Sequence, residues 1–474
     1  MAISVASEQR IELLGTVELL HDHLTTSLCQ TVFQQTRTTE RERQWSLEAL
    51  VSFWTEVILR APQSLTQALQ EAALGNGSGW HPVQASPEAF FQRCQSLNWR
   101  FFANLYEAFL LQVLPRAQPC YASPVHTLRE YFKEVWIVDG SRLDAVAKRL
   151  KLLWDVRAQV LPGCLTAFYD LYRGMVRHLA FNADAAAGEL PRALAALEHV
   201  PEGTLLVGDR LYGVGAFFAA LSERGLFGLC RRNGRQSWRW LRELSKTYIA
   251  EGTAWDTLIE IKGKKDIPTQ TLRWIRWRKG RESWEMLTNV VEPQRLSVRD
   301  ALRLYPWRWK VERLFFDLKE VLNLHRFYTG SPNGVAMQVY AAALVHTAFR
   351  VAQGHIAQAI GTQPEEISPA RFFPRMAAAA IGLTWAEVAF IEIQKANPGI
   401  DLQKPDWHRC EFAWTTFAHI RVESRNGRRR KRRFCKSRKQ WKSFTHIPGG
   451  KKLTGSVSKV EMAMFTLPVQ RHSG

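Results

Sequence analysis

The 474-residue chain has little cysteine and places none of it in pairs. Its seven cysteines, Cys29, Cys94, Cys120, Cys164, Cys230, Cys410 and Cys435, are scattered, odd in number and free of any C-x2-C spacing. That excludes a cysteine-based zinc site and a disulfide framework, and it fits a reducing compartment. The opening MAISVASEQRIELL lacks the basic-then-apolar order of a signal peptide. Long apolar runs are missing too. The nearest, Val335 to Ala352, is interrupted by Gln338, His346 and Arg350 and predicts a buried helix rather than a membrane span. No internal repeat is present. Acidic residues are scarce relative to basic ones, 44 against 64, so the formal charge is +20 and the pI about 9.9. That imbalance predicts a polyanionic partner, with nucleic acid first.

What is present is a globular composition, 46% hydrophobic and 23% charged, in a chain long enough for about two to four domains. The positive charge is partitioned. Arg421–Gly474 holds 16 Lys+Arg against 2 acids, and Arg231–Glu285 holds 14 against 7, so the rest of the chain is close to neutral. Two basic segments on a neutral body suggest localised contact with a polyanion.

Residues 1 to about 125 carry apolar residues at helical spacing in Gln9–Leu20, Gln44–Arg60 and Pro87–Leu114. Gly75–Gly79 and Pro115–Pro124 punctuate them. From Glu134 the texture changes. VWIVDG (135–140), LLWDVRAQV (152–160) and CLTAFYDLY (164–172) predict three strands, the last two joined by a turn at Pro162–Gly163. A helix over Pro191–Val200 follows, then a strand in TLLVGDRLYG (204–213), then a helix over Val214–Arg224 closed by Gly225. Leu226–Val291 reads as β, with six of the chain's eighteen tryptophans. Helical patterns return at Val335–Ile360 and Met376–Ile393 before the basic tail.

The most informative stretch is Leu304–Leu322, LYPWRWKVERLFFDLKEVL. Placed on a helix, Tyr305, Arg308, Glu312 and Lys319 fall within about 60° of one another. Leu304, Trp307, Val311, Leu314, Leu318 and Leu322 make a separate apolar face, with Phe315 at its edge. A carboxylate flanked by two cations and a phenol suits a metal ion and a phosphate together. Pro306 belongs in a first helical turn, which makes Tyr305 a candidate cap residue. Asp139 and Asp209 each end a short apolar strand ahead of a turn. Two such carboxylates with a third on a nearby helix form a hard oxygen cage for Mg²⁺ or Mn²⁺. Two metals about 4 Å apart can assist both the attacking and the leaving oxygen of an in-line displacement. An aspartate ending a strand is commonly only a turn former, and Asp144 in DGSRLD is a rival for the first position. Asp139 is preferred because it directly follows the apolar strand.

The spacing Y-x2-R-x3-E-x6-K over Tyr305, Arg308, Glu312 and Lys319 resembles that of insertion-sequence DDE transposases, in the subgroup with a Y-R-E-K catalytic helix. The resemblance covers about residues 130 to 335. It implies an α/β, ribonuclease H-like mixed sheet with an inserted β-rich subdomain and helical N- and C-terminal regions. It implies Asp139, Asp209 and Glu312 as catalytic metal ligands for two Mg²⁺ or Mn²⁺ ions. Tyr305, Arg308 and Lys319 would contact DNA phosphates, and Arg210 could do the same. DRLYG departs from the subgroup, which has a small residue where Leu211 stands. Related transposases that form a DNA hairpin use a stacking tryptophan, and Trp274, Trp277 and Trp284 are the candidates here, although most of the segment's tryptophans would simply pack a β core. The tail RNGRRRKRRFCKSRKQWK (425–442), with 11 Lys+Arg, would bind DNA backbone in a salt-dependent way or remain a solvated tail.

The expected organisation is a helical region 1–125, a catalytic domain in 130–225 and 286–335, a β insertion 226–285, a helical region 336–420 and a basic tail 421–474. The expected partners are the element's terminal inverted repeats and target DNA, bound by a homodimer on paired ends with no membrane involved. The expected location is the bacterial cytoplasm, at the nucleoid. A nuclease of the same fold that cuts without joining, and a catalytically silent DNA-binding descendant, are the alternatives.

Overall fold

The computed structural model describes residues 26–36, 44–73, 83, 85–116, 127–143, 163–234, 237–263, 267–359, 361–374 and 376–377. All of the 152–160 strand, of Gln9–Leu20 and of the basic tail, Asp144, and the Met376–Ile393 helix beyond its first two residues lie outside these residues.

Among the described residues five helices come first: α1 (Thr26–Thr36), α2 (Leu47–Arg60), α3 (Leu65–Ala73), α4 (Pro87–Ser96) and α5 (Arg100–Val113). Ser46 and Ser86 start α2 and α4 by accepting hydrogen bonds from Ala49 and Ala89 N–H. Nine strands follow: β1 (Val135–Arg142), β2 (Cys164–Asp170), β3 (Met175–Asn182), β4 (Leu205–Gly208), β5 (Phe227–Arg231), β6 (Arg239–Ile249), β7 (Gly252–Ile261), β8 (Gln270–Lys279) and β9 (Glu282–Thr288). Between them lie α6 (Glu189–Ala195), which runs into a 3₁₀ turn at Ala196–His199, and α7 (Gly215–Glu223).

All nine strands form one mixed sheet in the order β3-β2-β1-β4-β5-β9-β8-β7-β6. β1, β4 and β5 are mutually parallel, whereas β2 runs against its neighbours. The expected trio of strands is corrected in one respect. β2 makes its hairpin with β3, a strand the sequence reading did not assign, across a turn where Gly174 takes φ 66°. The turn ahead of MVRHLAFN is built by Asp170, whose Oδ1 accepts from Tyr172 and Arg173 N–H, together with Gly174.

The β-rich segment also differs from a separate insertion. Its first strand, β5, is parallel to β4 and belongs with the central strands. The remaining four form an antiparallel meander that extends the same sheet through β9 on β5. Arg273 anchors it. This fully buried guanidinium pairs with Asp256, and its Nη1 donates to the carbonyls of Val290 and Leu296 at 3.1 and 2.9 Å.

From Val298 the chain is helical through four local geometries: α8 (Val298–Leu304), a 3₁₀ turn (Tyr305–Arg308), α9 (Trp309–Phe316) and a π turn (Asp317–Val321). The single helix expected over 304–322 is thus interrupted. Pro306 lacks an N–H and tightens the turn, and Leu322 N–H reaches back five residues to Asp317 at 2.9 Å. The apolar face survives the interruptions: Leu304, Val311, Leu314, Phe315, Leu318 and Leu322 are buried. Helix α10 (Pro332–Ala359) packs against α2, α5 and β3. It is the one helix among the described residues long and apolar enough to span a membrane, and it is enclosed by protein. The sheet has a core on each side. One joins α1–α5, α8–α10 and one face of β1–β4; the other joins α6 and α7 to the opposite face.

Candidate active site

Asp139 and Asp209 are brought together by strand pairing. β1 and β4 run parallel, with Ile137 beside Val207 as their last pair. Two residues further on each chain come Asp139 and Asp209, on the face shared with Ile137 and Val207 because side chains alternate. Adjacent strands lie about 4.8 Å apart, which sets the scale of the separation. The turn chemistry of both aspartates is also real. Asp139 Oδ1 accepts from Gly140 N–H at 2.8 Å, and Asp209 Oδ1 accepts from Leu211 N–H at 2.6 Å. In each case one carboxylate oxygen orients the side chain.

Helix α9 lies over this face and packs on β1. Its Val311, Leu314 and Phe315 enter the core and leave Glu312 beside the strand ends. Arg308 ties the acids together: its Nη1 lies 3.4 Å from Asp139 Oδ2, and its Nη2 lies 2.9 Å from Glu312 Oε1. Asp139 and Glu312 are thus joined through one guanidinium although 173 residues separate them in sequence. Lys319 Nζ donates to the Arg142 carbonyl at 2.6 Å, on the strand that carries Asp139. Arg210 is exposed directly after Asp209.

Tyr305 is placed differently. Its ring is buried edge-on to Trp284, centroids 6.0 Å apart, and burial pushes its hydroxyl up to about 12. A phosphate contact therefore requires the DNA to reach the hydroxyl end alone.

The base-stacking expectation is corrected. Trp274, Trp277 and Trp284 are all buried, Trp274 in the core on one face of the sheet and Trp277 and Trp284 in the core on the other. Trp277 also donates its indole N–H to Ile249 O at 2.8 Å. No base reaches rings so enclosed. The exposed tryptophans of this region are Trp238 and Trp240, at 38% and 58% exposure.

A fourth carboxylate was missed. Glu189, at the start of α6, accepts a hydrogen bond from the buried Tyr212 hydroxyl at 2.8 Å. It lies against Gly140, where a Cβ would meet Glu189 Cδ at 2.5 Å. Nothing in the spacing of Glu189 marks it. The only trace is Gly140 itself, which lets the two approach. Burial raises the Asp139 carboxyl to about 7; Arg308 opposes that rise, and Glu189 and Asp209 add to it. A set of hard carboxylate oxygens suits a divalent cation, so Asp139, Asp209 and Glu312 fit Mg²⁺ or Mn²⁺.

Residues 131–348 match the family described as the transposase DDE domain. A Sinorhizobium fredii (strain NGR234) protein, y4zB, whose name describes it as a transposase, is 24% identical over 198 residues. The match takes in 38% of this chain and 54% of that protein, so the chain spans about half the length of the curated relative. Among solved structures, the piggyBac transposase synaptic complex with hairpin DNA aligns over 86% of this chain and 85% of its own, with 8% identity and a TM-score of 0.36.

Proposed function

We propose that this chain, whose residues 131–348 match the transposase DDE domain, is a DDE transposase of the insertion-sequence kind that cuts DNA at the ends of its element and joins the freed 3′-hydroxyl to target DNA. The observation that carries this reading is the convergence described above: strand-end aspartates on neighbouring parallel strands, with Glu312 held over them by α9 and tied to Asp139 through Arg308. The order β3-β2-β1-β4-β5, with β2 alone reversed, supports a ribonuclease H-like catalytic core.

Asp139, Asp209 and Glu312 would hold two Mg²⁺ or Mn²⁺ ions, which would supply Lewis acidity toward the scissile phosphate. The chain's own residues do the rest. Arg308, held between Asp139 and Glu312, would serve either the acids or the DNA. Paired with the carboxylates it neutralises them; facing DNA it presents a planar fork to phosphate oxygens. Lys319 supplies a point charge at the mouth of the site, and Arg210 a second cation beside Asp209. Buried Tyr305 steadies the turn that carries Arg308, with its hydroxyl as the available donor. Exposed Trp240, with Trp238 beside it, takes the stacking role expected of the insertion.

The region 1–125, the catalytic parts 130–225 and 286–335, the extension 226–285, the region 336–420 and the tail 421–474 are proposed as the functional divisions. The substrates are proposed to be the element's inverted repeats and target DNA, held by a homodimer at the bacterial nucleoid. The spacing of Tyr305, Arg308, Glu312 and Lys319 supports membership of the Y-R-E-K subgroup. Glu312→Gln keeps the shape of the site but removes a charged ligand. It is expected to lower strand cleavage by about 10³-fold, the equivalent of several kcal/mol of transition-state stabilisation, with DNA binding retained in a gel-shift assay. Full cleavage by that variant rules the assignment out.

A further inference from the structure

We propose that Glu107, His178 and His199 form a second metal site, separate from the carboxylate site, which takes one divalent transition-metal ion, with zinc the best match. This inference does not depend on the transposition reading.

The three residues come from three elements: Glu107 from α5, His178 from β3 and His199 from the 3₁₀ turn after α6. One ligand atom from each lies within 4.8 Å of the others. His178 Nδ1 is 3.0 Å from Glu107 Oε1, and the two imidazoles stack with centroids 4.0 Å apart and planes 16° apart. Their position in the fold makes the convergence informative. β3 is the edge strand of the sheet. α5 belongs to the core on one face, and the turn carrying His199 belongs to the core on the other. Glu107 and His199 therefore reach the edge from opposite layers and meet at His178.

Two imidazoles and a carboxylate are borderline-soft nitrogen donors with one hard oxygen, a set that favours zinc over magnesium. Ligand atoms around tetrahedral zinc stand about 3.3 Å apart, from bonds of about 2.0–2.1 Å. The Glu107–His178 pair is already closer than that. His199 and Glu107 are half-exposed, which leaves a path for an ion to enter and room for the His199 ring to turn out of its stack on His178 so that both lone pairs meet the ion. Glu198 Oε1, 3.5 Å from His199 Nε2, is available as a fourth ligand. The described free cysteines, Cys29, Cys94, Cys164 and Cys230, are buried and contribute no ligand to this trio. A bound ion would staple the helical layer to the sheet at the one edge where both layers are within reach.

The test uses full-length protein stripped with chelator and titrated with Co²⁺, then with Zn²⁺. The wild type and Glu312→Gln, titrated in excess Mg²⁺ to fill the carboxylate site, should each develop the strong visible bands of one four-coordinate Co²⁺ per chain. Zn²⁺ should displace it, and excess Mg²⁺ should not. His199→Gln, at a half-exposed position, should keep the wild-type circular dichroism and lose affinity by about tenfold or more, with His178→Gln as the second variant. Added zinc should raise the melting temperature of the wild type and not that of His199→Gln. Equal uptake by wild type and His199→Gln overturns the proposal and leaves the trio as a hydrogen-bonded clasp. So do thiolate-to-cobalt bands, which would put the ion on a cysteine, and loss of the bands in Glu312→Gln, which would put it at the carboxylates.

Discussion

Arg273 shows how one side chain can bind distant segments. It is wholly buried, and its charge is answered by Asp256 and by two carbonyls at the entry to α8. Removing one member of a buried pair leaves an uncompensated charge. Arg273→Met is therefore expected to cost about 3–5 kcal/mol in denaturant unfolding, with much of that recovered when Asp256→Leu is added. His346 gives a pH dependence. It is buried edge-on to Phe373, and burial, reinforced by Arg350, holds its imidazole at about 3. An unfolded histidine titrates near about 6.5. The stability it contributes is complete above that value. It is lost as pH falls from about 6.5 toward 3, because the unfolded chain binds a proton that the core refuses. His346→Gln should flatten the acid limb of a plot of unfolding midpoint against pH; an unchanged limb would remove His346 from the account. At this scale the sequence was readable where chemistry and spacing coincide, as in Arg308 with Glu312. It was silent on Glu189, whose importance comes from a Gly140 backbone that only the fold brings alongside.

Among the elements, periodicity served best where one face is buried and the other solvated. The apolar positions of 304–322 enter the core almost as a helical projection places them, with Trp307 only half-buried. The interruptions escaped that projection because a 3₁₀ turn and a π turn change the residues per turn without changing which residues are apolar. Strand β3 escaped because both faces of an edge strand near a hairpin blur the alternation. The β6–β7 hairpin holds a further expectation. Its two turn residues, Ala250 and Glu251, have φ of 51° and 58°. Such a turn suits asparagine better than alanine at its first position. Ala250→Asn should therefore stabilise the protein by about 0.5–1 kcal/mol, read as a higher melting temperature.

Over the whole molecule, charge and topology divide the labour. The sheet and its helices gather the acids, while much of the excess positive charge sits in 421–474, outside the described residues. A chain ending at residue 420 should bind DNA more weakly and show a shallower fall of log K with log salt, since each phosphate contact adds about 0.9 to that slope. An unchanged slope would mean that the tail does not touch DNA. The excess of positive charge and the likeness to a transposase DDE domain could be read from residues in order. The continuous nine-stranded sheet could not, because it depends on β9 finding β5 across a 50-residue detour.

The position of α10 has a consequence for synthesis. The helices of residues 47–113 bury their apolar sides against a partner encoded more than 200 residues later. At about 5–20 residues per second, that partner emerges tens of seconds after them. Until then α2 and α5 have only α1 and their own neighbours to cover part of their apolar sides. Folding must wait on the ribosome for its last large piece, and a message truncated before codon 332 would yield a product fit only for chaperones and proteases.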